Sequence, residues 1–403
     1  MLSPNKRPLG ISVLEAARNR ISWMFDTFER VCVSFSGGKD SSVMFHLVME
    51  EAIKRNRVVG VMFVDWEIQF THTINHVQKM FDLYKEYIDP YWIALPFLTE
   101  NCTSMYEPEW ICWEPGKKWV REVPVSGISD YKRFSFYTYP MTFEEFVPKF
   151  GQWYSDGKLT AVVVGIRADE SLHRYSTITS QTKTRFEDKG YTTQLSETVY
   201  NVYPIYDWKT ADVWTYNGKY GCLSNPLYTL MYRAGVPLHN MRVDEPFGEK
   251  QRRGLWLYHI LDPVMWAKIV ERINSANFGA LYVKERGTVL GNYGVTKPDN
   301  HTWKSYAELL LSSMPIKTAE HYKNKIAVYL RWYQVRDYPE GIPDCQDNDV
   351  GPKDAYPSWR RICKILLRND YWCKGLSFSV QKSSATEKYL KLMKIRRELW
   401  NLI

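Results

Sequence analysis

The chain has no apolar run approaching the roughly twenty residues that a membrane-spanning helix needs. Its opening stretch, Met1–Gly10, is polar and basic and holds no signal-peptide core. The 7 cysteines are odd in number and never fall in a CxxC pair, which argues against a disulfide framework, a zinc ribbon and an iron–sulfur ligand set. Internal repeats and low-complexity tracts are missing too. These absences turn the reading away from membrane, disulfide-scaffold and solenoid classes and towards a folded protein of the reducing cytoplasm. What is there is a chain of 403 residues, 45% hydrophobic and 24% charged, long enough for two domains. With 16 Trp and 28 Tyr, many helix faces and loops should be anchored by rings. A net charge of +8 suits a polyanionic ligand, whether nucleotide or nucleic acid, and does not choose between them.

The stretch Val31–Ser42, VCVSFSGGKDSS, organises the rest. Val31, Cys32, Val33 and Phe35 bracket Ser34 in a run that suits a buried strand, and Ser36-Gly37-Gly38 follows as a turn with nothing bulky on its backbone. Asp40, Ser41 and Ser42 are N-cap-type residues, and behind them Val43, Met44, Leu47 and Val48 recur at helical spacing. Strand, glycine turn and helix N-terminus is a geometry that holds phosphate, because backbone N–H groups and the positive end of the helix dipole converge on one anion. Lys39 supplies a point charge, Ser36 and Ser41 supply hydroxyls, and Asp40 could hold magnesium against the same phosphates. The candidate nucleotide contacts here are Ser34, Ser36, Gly37, Gly38, Lys39, Asp40 and Ser41. A Walker A loop is excluded, since Val33 and Asp40 stand where that motif needs Gly and Ser or Thr.

Intact between strand and helix, SGGKDS resembles the PP-loop family of adenine-nucleotide enzymes: N-type ATP pyrophosphatases, sulfate adenylyltransferase small subunits and phosphoadenylyl-sulfate (PAPS) reductases. The resemblance implies a Rossmann-like parallel α/β sheet that binds ATP or PAPS with Mg2+. Three more segments support it. Val58–Val64 reads as a strand ending at Asp65, and Asp65, Phe70 and Thr73 resemble the reductase segment VDTGxxFxxT, with Trp66-Glu67 in place of Thr-Gly. A nucleotide contact and a strand-end cap both stand open for Asp65. Val162–Ser171, VVVGIRADES, resembles G-[IL]-R-x-x-[EQ]-S. Gly165 would let a loop approach the ligand, and Arg167 is a fork for phosphate or sulfate, with Glu170 and Ser171 joining the site; a salt-bridged helix start is the plainer alternative. Tyr203–Tyr216 resembles P-[IL]-x-[DE]-W-x-x-x-D-V-W-x-Y, with Thr210 or Asp207 as helix cap and Trp208 and Trp214 as packing.

In chain order the pattern predicts helices over Ile11–Phe28 and Thr71–Tyr87, and strands over Thr160–Ile166 and Val199–Ile205. Residues 101–135, with three tryptophans and no regular period, read as an insertion folded over the ligand end of the sheet. Residues 1–220 are expected to form the nucleotide-binding domain. Residues 221–403 are expected to form a mainly helical one, with helices over Leu227–Ala234, Leu255–Leu261, Val264–Ile273, Tyr306–Leu311, Lys325–Tyr333, Trp359–Leu367 and Glu387–Leu399, and a strand candidate at Leu281–Lys284.

No cysteine sits in the E-C-G-[LI]-H tail of PAPS reductases; Cys345, Cys363 and Cys373 read as structural. EPFGEKQRRGLWLYH, ANFGALY and YPSWRRICKILLRNDYWCKGLSF resemble a PAPS-reductase-like branch with a second domain of unknown function, which includes the immunoglobulin-binding regulators of enteric bacteria. That branch implies a ParB/sulfiredoxin-like protein partner and, for some members, gene regulation. Arg252-Arg253, Arg360-Arg361 and the run Lys388, Lys391, Lys394, Arg396, Arg397, near Trp359, Tyr371 and Trp372, leave a nucleic-acid surface open beside a solvated helix face. The favoured chemistry is attack on the α-phosphate of ATP with loss of pyrophosphate, using Lys39, Asp40 and Arg167. Thiol-dependent reduction of PAPS and a nucleotide-sensing regulator are the alternatives.

Overall fold

The computed structural model describes residues 9–180, 183–248, 254–276, 297–345 and 356–378. Helix α1 (Val13–Thr27) starts at Ser12, whose hydroxyl accepts the Glu15 N–H at 3.1 Å. Strand β1 (Arg30–Ser34), helix α2 (Lys39–Lys54), strand β2 (Val59–Val64), helix α3 (Thr71–Leu83) and strand β3 (Ile88–Ile93) follow in alternation. After the strands β4 (Phe97–Glu100), β5 (Glu109–Cys112), β6 (Gly127–Ile128) and β7 (Met141–Thr142), the alternation resumes with helix α4 (Phe143–Ser155) and strand β8 (Thr160–Val164). Helix α5 (Leu172–Thr179), strands β9 (Thr192–Gln194) and β10 (Val199–Val202), and helix α6 (Thr210–Tyr220) complete this part.

The main sheet has the order β6-β3-β2-β1-β8-β10-β9, parallel throughout except for the β9–β10 pair. Successive strands run outward from β1 to one side and then restart at β8 on the other. The carboxyl end of β1 is therefore the switch point where a parallel sheet opens a crevice. A small second sheet, β5-β4-β7, arises around the insertion, in which the sequence shows no helical or strand period. Antiparallel pairing of β4 with β5 (Phe97 opposite Cys112) buries Trp110 and Cys112.

Two apolar layers cover the sheet. One packs α1, α2 and α3 on Val31, Val33, Val59, Val61 and Phe63. The other joins Cys32, Met62 and Val64 to the insertion and to helices α7 (Leu227–Arg233), α8 (Leu255–Leu261) and α9 (Pro263–Arg272). A separate cluster holds α10 (Trp303–Ser312), α11 (Ile316–Gln334) and α12 (Trp359–Arg368). Arg360 and Arg361 serve this cluster: Arg360 lies over the Trp303 ring and Arg361 Nε donates to the Gly375 carbonyl at 2.9 Å.

Several bounds shift from expectation. The helix expected over Thr71–Tyr87 stops at Leu83, because Ile88 must enter β3 beside Val59. The helix expected over Lys325–Tyr333 is the end of the 19-residue α11. The strand candidate at Leu281–Lys284, the helix over Glu387–Leu399 with its basic run, and Arg252-Arg253 lie outside the described residues. Among the described residues no helix is long and apolar enough to cross a membrane.

Candidate functional site

Beyond Ser34 the chain leaves the sheet with Phe35, whose N–H donates to the Met62 carbonyl at 2.8 Å. Gly37 then takes φ +71°, and a Cβ there would lie 2.9 Å from Thr73 Cγ2 and 3.0 Å from Val77 Cγ2. Only glycine meets both conditions without strain. Gly38 is the N-cap of α2 and offers no side chain to it. This corrects the expectation that Asp40, Ser41 or Ser42 caps the helix: the turn ends early, and these residues occupy the first helical turn. Ser41 Oγ donates to the Gly38 carbonyl at 3.1 Å and lies 3.0 Å from Ser36 Oγ, so the two hydroxyls brace the turn. Ser42 is buried and shares a 2.9 Å hydrogen bond with His76 Nε2.

Two cations meet at this helix start. Lys39 is buried, with Nζ 2.9 Å from Asp40 Oδ2, 3.5 Å from the Met241 carbonyl and over the Tyr228 ring. Arg167, 2% exposed, places Nε 2.6 Å from Asp40 Oδ1 and donates to the Trp208 carbonyl at 3.4 Å. Asp40 is thus held between them. Arg167 reaches it because β8 runs beside β1, Ser34 opposite Val164, and because Gly165 follows. A Cβ on Gly165 would stand 3.1 Å from Ser41 Cα and 3.2 Å from Ser41 N. Glu170 and Ser171 sit farther along this loop and start α5: the Ser171 hydroxyl accepts the Arg174 N–H at 3.2 Å, and Glu170 pairs with Arg174 at 4.0 Å. The Glu170 carbonyl also accepts from Arg242 at 3.4 Å.

Asp65 lies level with the glycine turn, since Met62 faces Ser34 in the register. It is fully buried, accepts the Trp92 Nε1–H at 2.7 Å and the Glu67 N–H at 3.0 Å, and is ion-paired with Arg121 of the insertion. Asp207 does not cap α6. It forms a two-pronged pair with Arg20 at 2.8 and 2.6 Å, tying α1 to the segment after β10. Thr210 does not cap it either; Lys209 precedes the helix, with its N–H donated to Asp212 Oδ2 at 2.7 Å. Trp208 packs as expected, its indole N–H on the Val13 carbonyl at 3.0 Å.

Three residues that sequence reasoning did not reach complete the surroundings. Asn225 Nδ2 donates to the Gly37 carbonyl at 2.9 Å and to Thr73 Oγ1 at 3.0 Å, and its Oδ1 accepts the Leu227 N–H at 3.0 Å. Tyr228 OH accepts the Lys39 N–H at 3.0 Å, and the Met241 carbonyl faces Lys39 Nζ. The available signal was the Asn225-Pro226 pair just ahead of α7, which marks a helix start but not what it touches.

The cysteines stand apart from this arrangement. Cys32, Cys102, Cys112, Cys363 and Cys373 are buried and joined in no disulfide. Burial pushes the Cys32 and Cys363 thiols up to about 12 and the Cys373 thiol well above its ordinary range.

Residues 30–91 and 99–234 match the phosphoadenosine phosphosulfate reductase domain, and residues 235–337 match a domain of unknown function, DUF3440. The chain is 49% identical over 405 residues to "Uncharacterized protein YbdN" of Escherichia coli (strain K12), covering 100% of this chain and 99% of that protein. It belongs to the same family as that protein, and within it a PAPS reductase domain is followed by DUF3440. Among solved structures it resembles the PAPS reductase of Candida auris at 15% identity (53% of this chain, 84% of that one, TM-score 0.29). It also resembles the FMN adenylyltransferase of Candida glabrata in complex with FAD and inorganic pyrophosphate at 14% identity (56% and 64%, TM-score 0.34). The NMN synthetase of Francisella tularensis is similar at 11% identity (72% and 99%, TM-score 0.30). At such scores none of these neighbours assigns an activity.

Proposed function

We propose that this chain binds the phosphate groups of an adenine nucleotide, ATP or PAPS, at the start of α2 and acts as a PP-loop enzyme. On this reading an acceptor attacks the α-phosphorus of ATP, the bond to the β-phosphate oxygen breaks, and pyrophosphate leaves. The observation that carries the proposal is the convergence of Lys39 Nζ, Arg167 Nε and the first turn of α2 on one carboxylate, Asp40, at the switch point of the sheet. An anion at that helix end would meet the positive end of the helix dipole and two fixed cations. Catalysis of this kind is positioning and charge neutralisation, which need no nucleophile from the protein.

Magnesium finds little of its own in the protein here. Both oxygens of Asp40 face cations, and among the described residues no group of three His, Cys, Asp or Glu side chains is placed to hold a metal. An ion at this place would arrive on the nucleotide phosphates. The reductase alternative has less support, because five of the seven thiols are buried in the described structure.

The test is calorimetric titration of ATP and of PAPS, with pyrophosphate release followed in the presence of candidate acceptors. Lys39→Ala and Arg167→Ala each remove one charge-assisted contact, about 1.5–3 kcal/mol, so each should weaken binding by roughly 10- to 150-fold while unfolding stays cooperative. Unchanged affinity in both variants would end the proposal.

A further inference from the structure

Glu67 is fully buried and adopts φ +64°, a conformation that a residue with a side chain rarely takes. Its carboxylate explains why it stays there. Oε2 accepts the Trp113 N–H at 2.6 Å, and Oε1 accepts the Val120 N–H at 3.2 Å and Arg272 Nε at 3.1 Å. One side chain thus gathers two points of the insertion and the last turn of α9. Arg272 is itself committed to the same place, donating to the Ile111 carbonyl at 2.8 Å and lying 3.8 Å from the Glu114 carboxylate.

Helices α8 and α9 grip the residues that follow. The Tyr258 ring stacks on Phe70 at 3.7 Å and 7°, and its hydroxyl donates to the Ile68 carbonyl at 2.7 Å. Asp262 accepts the Thr71 N–H at 2.9 Å. Segment 65–71 then enters α3, where Thr73 and Val77 stand against Gly37 and Thr73 Oγ1 meets Asn225. A continuous line of contacts runs from the matched DUF3440 segment, through 65–71 and α3, to the glycine turn.

We infer that Glu67 is a positioning residue through which α8 and α9 fix the glycine turn, so that the start of DUF3440 is a working part of the phosphate-binding site. The inference rests on the nucleotide reading for its consequence, but its physical content is the rigidity of the turn. A left-handed Glu relaxes when replaced by Gly, so Glu67→Gly removes the grip while easing the backbone.

The experiment is hydrogen exchange on the full chain, with ATP titration alongside. In Glu67→Gly the amides of 36–41 and of 113–121 should exchange at least tenfold faster than in the parent, while those of α10–α12 keep their rates. ATP should bind about tenfold more weakly. Glu67→Gln, which keeps the shape and one acceptor oxygen but turns its NH2 towards an N–H donor at the other position, should recover only part of the protection, and Arg272→Gln should repeat the Glu67→Gly pattern if the glycine variant fails to fold. Faster exchange at 113–121 with unchanged exchange at 36–41 would overturn the inference, reducing Glu67 to an anchor of the insertion. Equal rates in both segments would overturn it too. If the parent binds neither ATP nor PAPS, the nucleotide reading falls, and the exchange rates at 36–41 still decide the role of Glu67.

Discussion

Gly37→Ala tests the geometry of the turn with the least chemistry. Two separate costs follow from the structure. The left-handed φ of +71° places a Cβ against the neighbouring carbonyl oxygen, about 1–2 kcal/mol. The same Cβ would sit 2.9 Å from Thr73 Cγ2 and 3.0 Å from Val77 Cγ2, both on buried β-branched residues with little rotamer freedom. Overpacking of that kind costs about 1–3 kcal/mol. Together the variant should lose roughly 2–5 kcal/mol, which for a chain this size lowers Tm by about 2–6 °C. The two terms can be separated. Thr73→Ser removes Cγ2 and keeps Oγ1 for Asn225, so in that background the cost of Gly37→Ala should shrink by about 1 kcal/mol, a coupling expected only between groups in contact. Urea unfolding of the four proteins of this cycle supplies the numbers, and ATP titration shows whether the displaced turn binds less tightly. A Gly37→Ala protein within about 0.5 kcal/mol of the parent, with no coupling to Thr73, would refute both the turn conformation and its packing on α3.

A second prediction concerns pH. Burial pushes the Glu245 carboxyl up to about 7 from 4.5, despite Lys374, so between those values the folded chain keeps a proton that the unfolded chain gives up. Stability should therefore rise by up to about 3 kcal/mol as pH falls from 8 to 5 and decline as pH climbs through 7; urea midpoints that show the same slope in Glu245→Gln would contradict this. A third concerns the thiols. Iodoacetamide at pH 8 should label exposed Cys345 first and the buried Cys363 and Cys373 only on unfolding, as peptide mass spectrometry would show, and Cys373→Ser should bind ATP as the parent does.

What the sequence disclosed and what it withheld divide along the range of the interactions. The unit β1, glycine turn and α2 is local: an apolar run, two glycines and a 3.6-residue repeat lie within about twenty residues, and each signal agrees with the others. Arg167 was legible for the same reason, carried by Val162–Val164 just before it. Strand β3 was not, because Asp89 and Pro90 are exposed at its start and break the apolar pattern, and only pairing with β2 makes it a strand. Helix α4 holds Pro148 and Gly151, which count against a helix in any local reading. Its capping box at Thr142 and Glu145 starts it, and Gly151 allows close packing on the sheet, where a Cβ would lie 3.3 Å from Val199 Cγ1. Asp207 looked like a cap because its partner, Arg20, is 187 residues away.

The same division explains how the site is built. The backbone donors come from one short segment, but nothing local can hold two cations side by side at a helix start whose dipole repels them. Asp40 offsets that repulsion by standing between Lys39 and Arg167 at 2.9 and 2.6 Å. The remaining constraint is applied from far along the chain: Tyr228 on the Lys39 N–H, the Met241 carbonyl on Lys39 Nζ, and Asn225 on the Gly37 carbonyl. Tyr228 and Asn225 each satisfy a backbone group of the buried turn, and the Met241 carbonyl gives Lys39 Nζ a second acceptor beside Asp40. On the proposed reading, a phosphate entering here would find the cations already in position and would have only to draw them from a single carboxylate. Electrostatic preorganisation of this kind lowers the reorganisation needed during phosphoryl chemistry. It also requires Tyr228, which is in the matched reductase domain, and Met241, which is in the matched DUF3440 segment, to sit in one structure with the loop. The glycine turn can be read from twelve residues; the electrostatic setting that would let it work depends on more than two hundred.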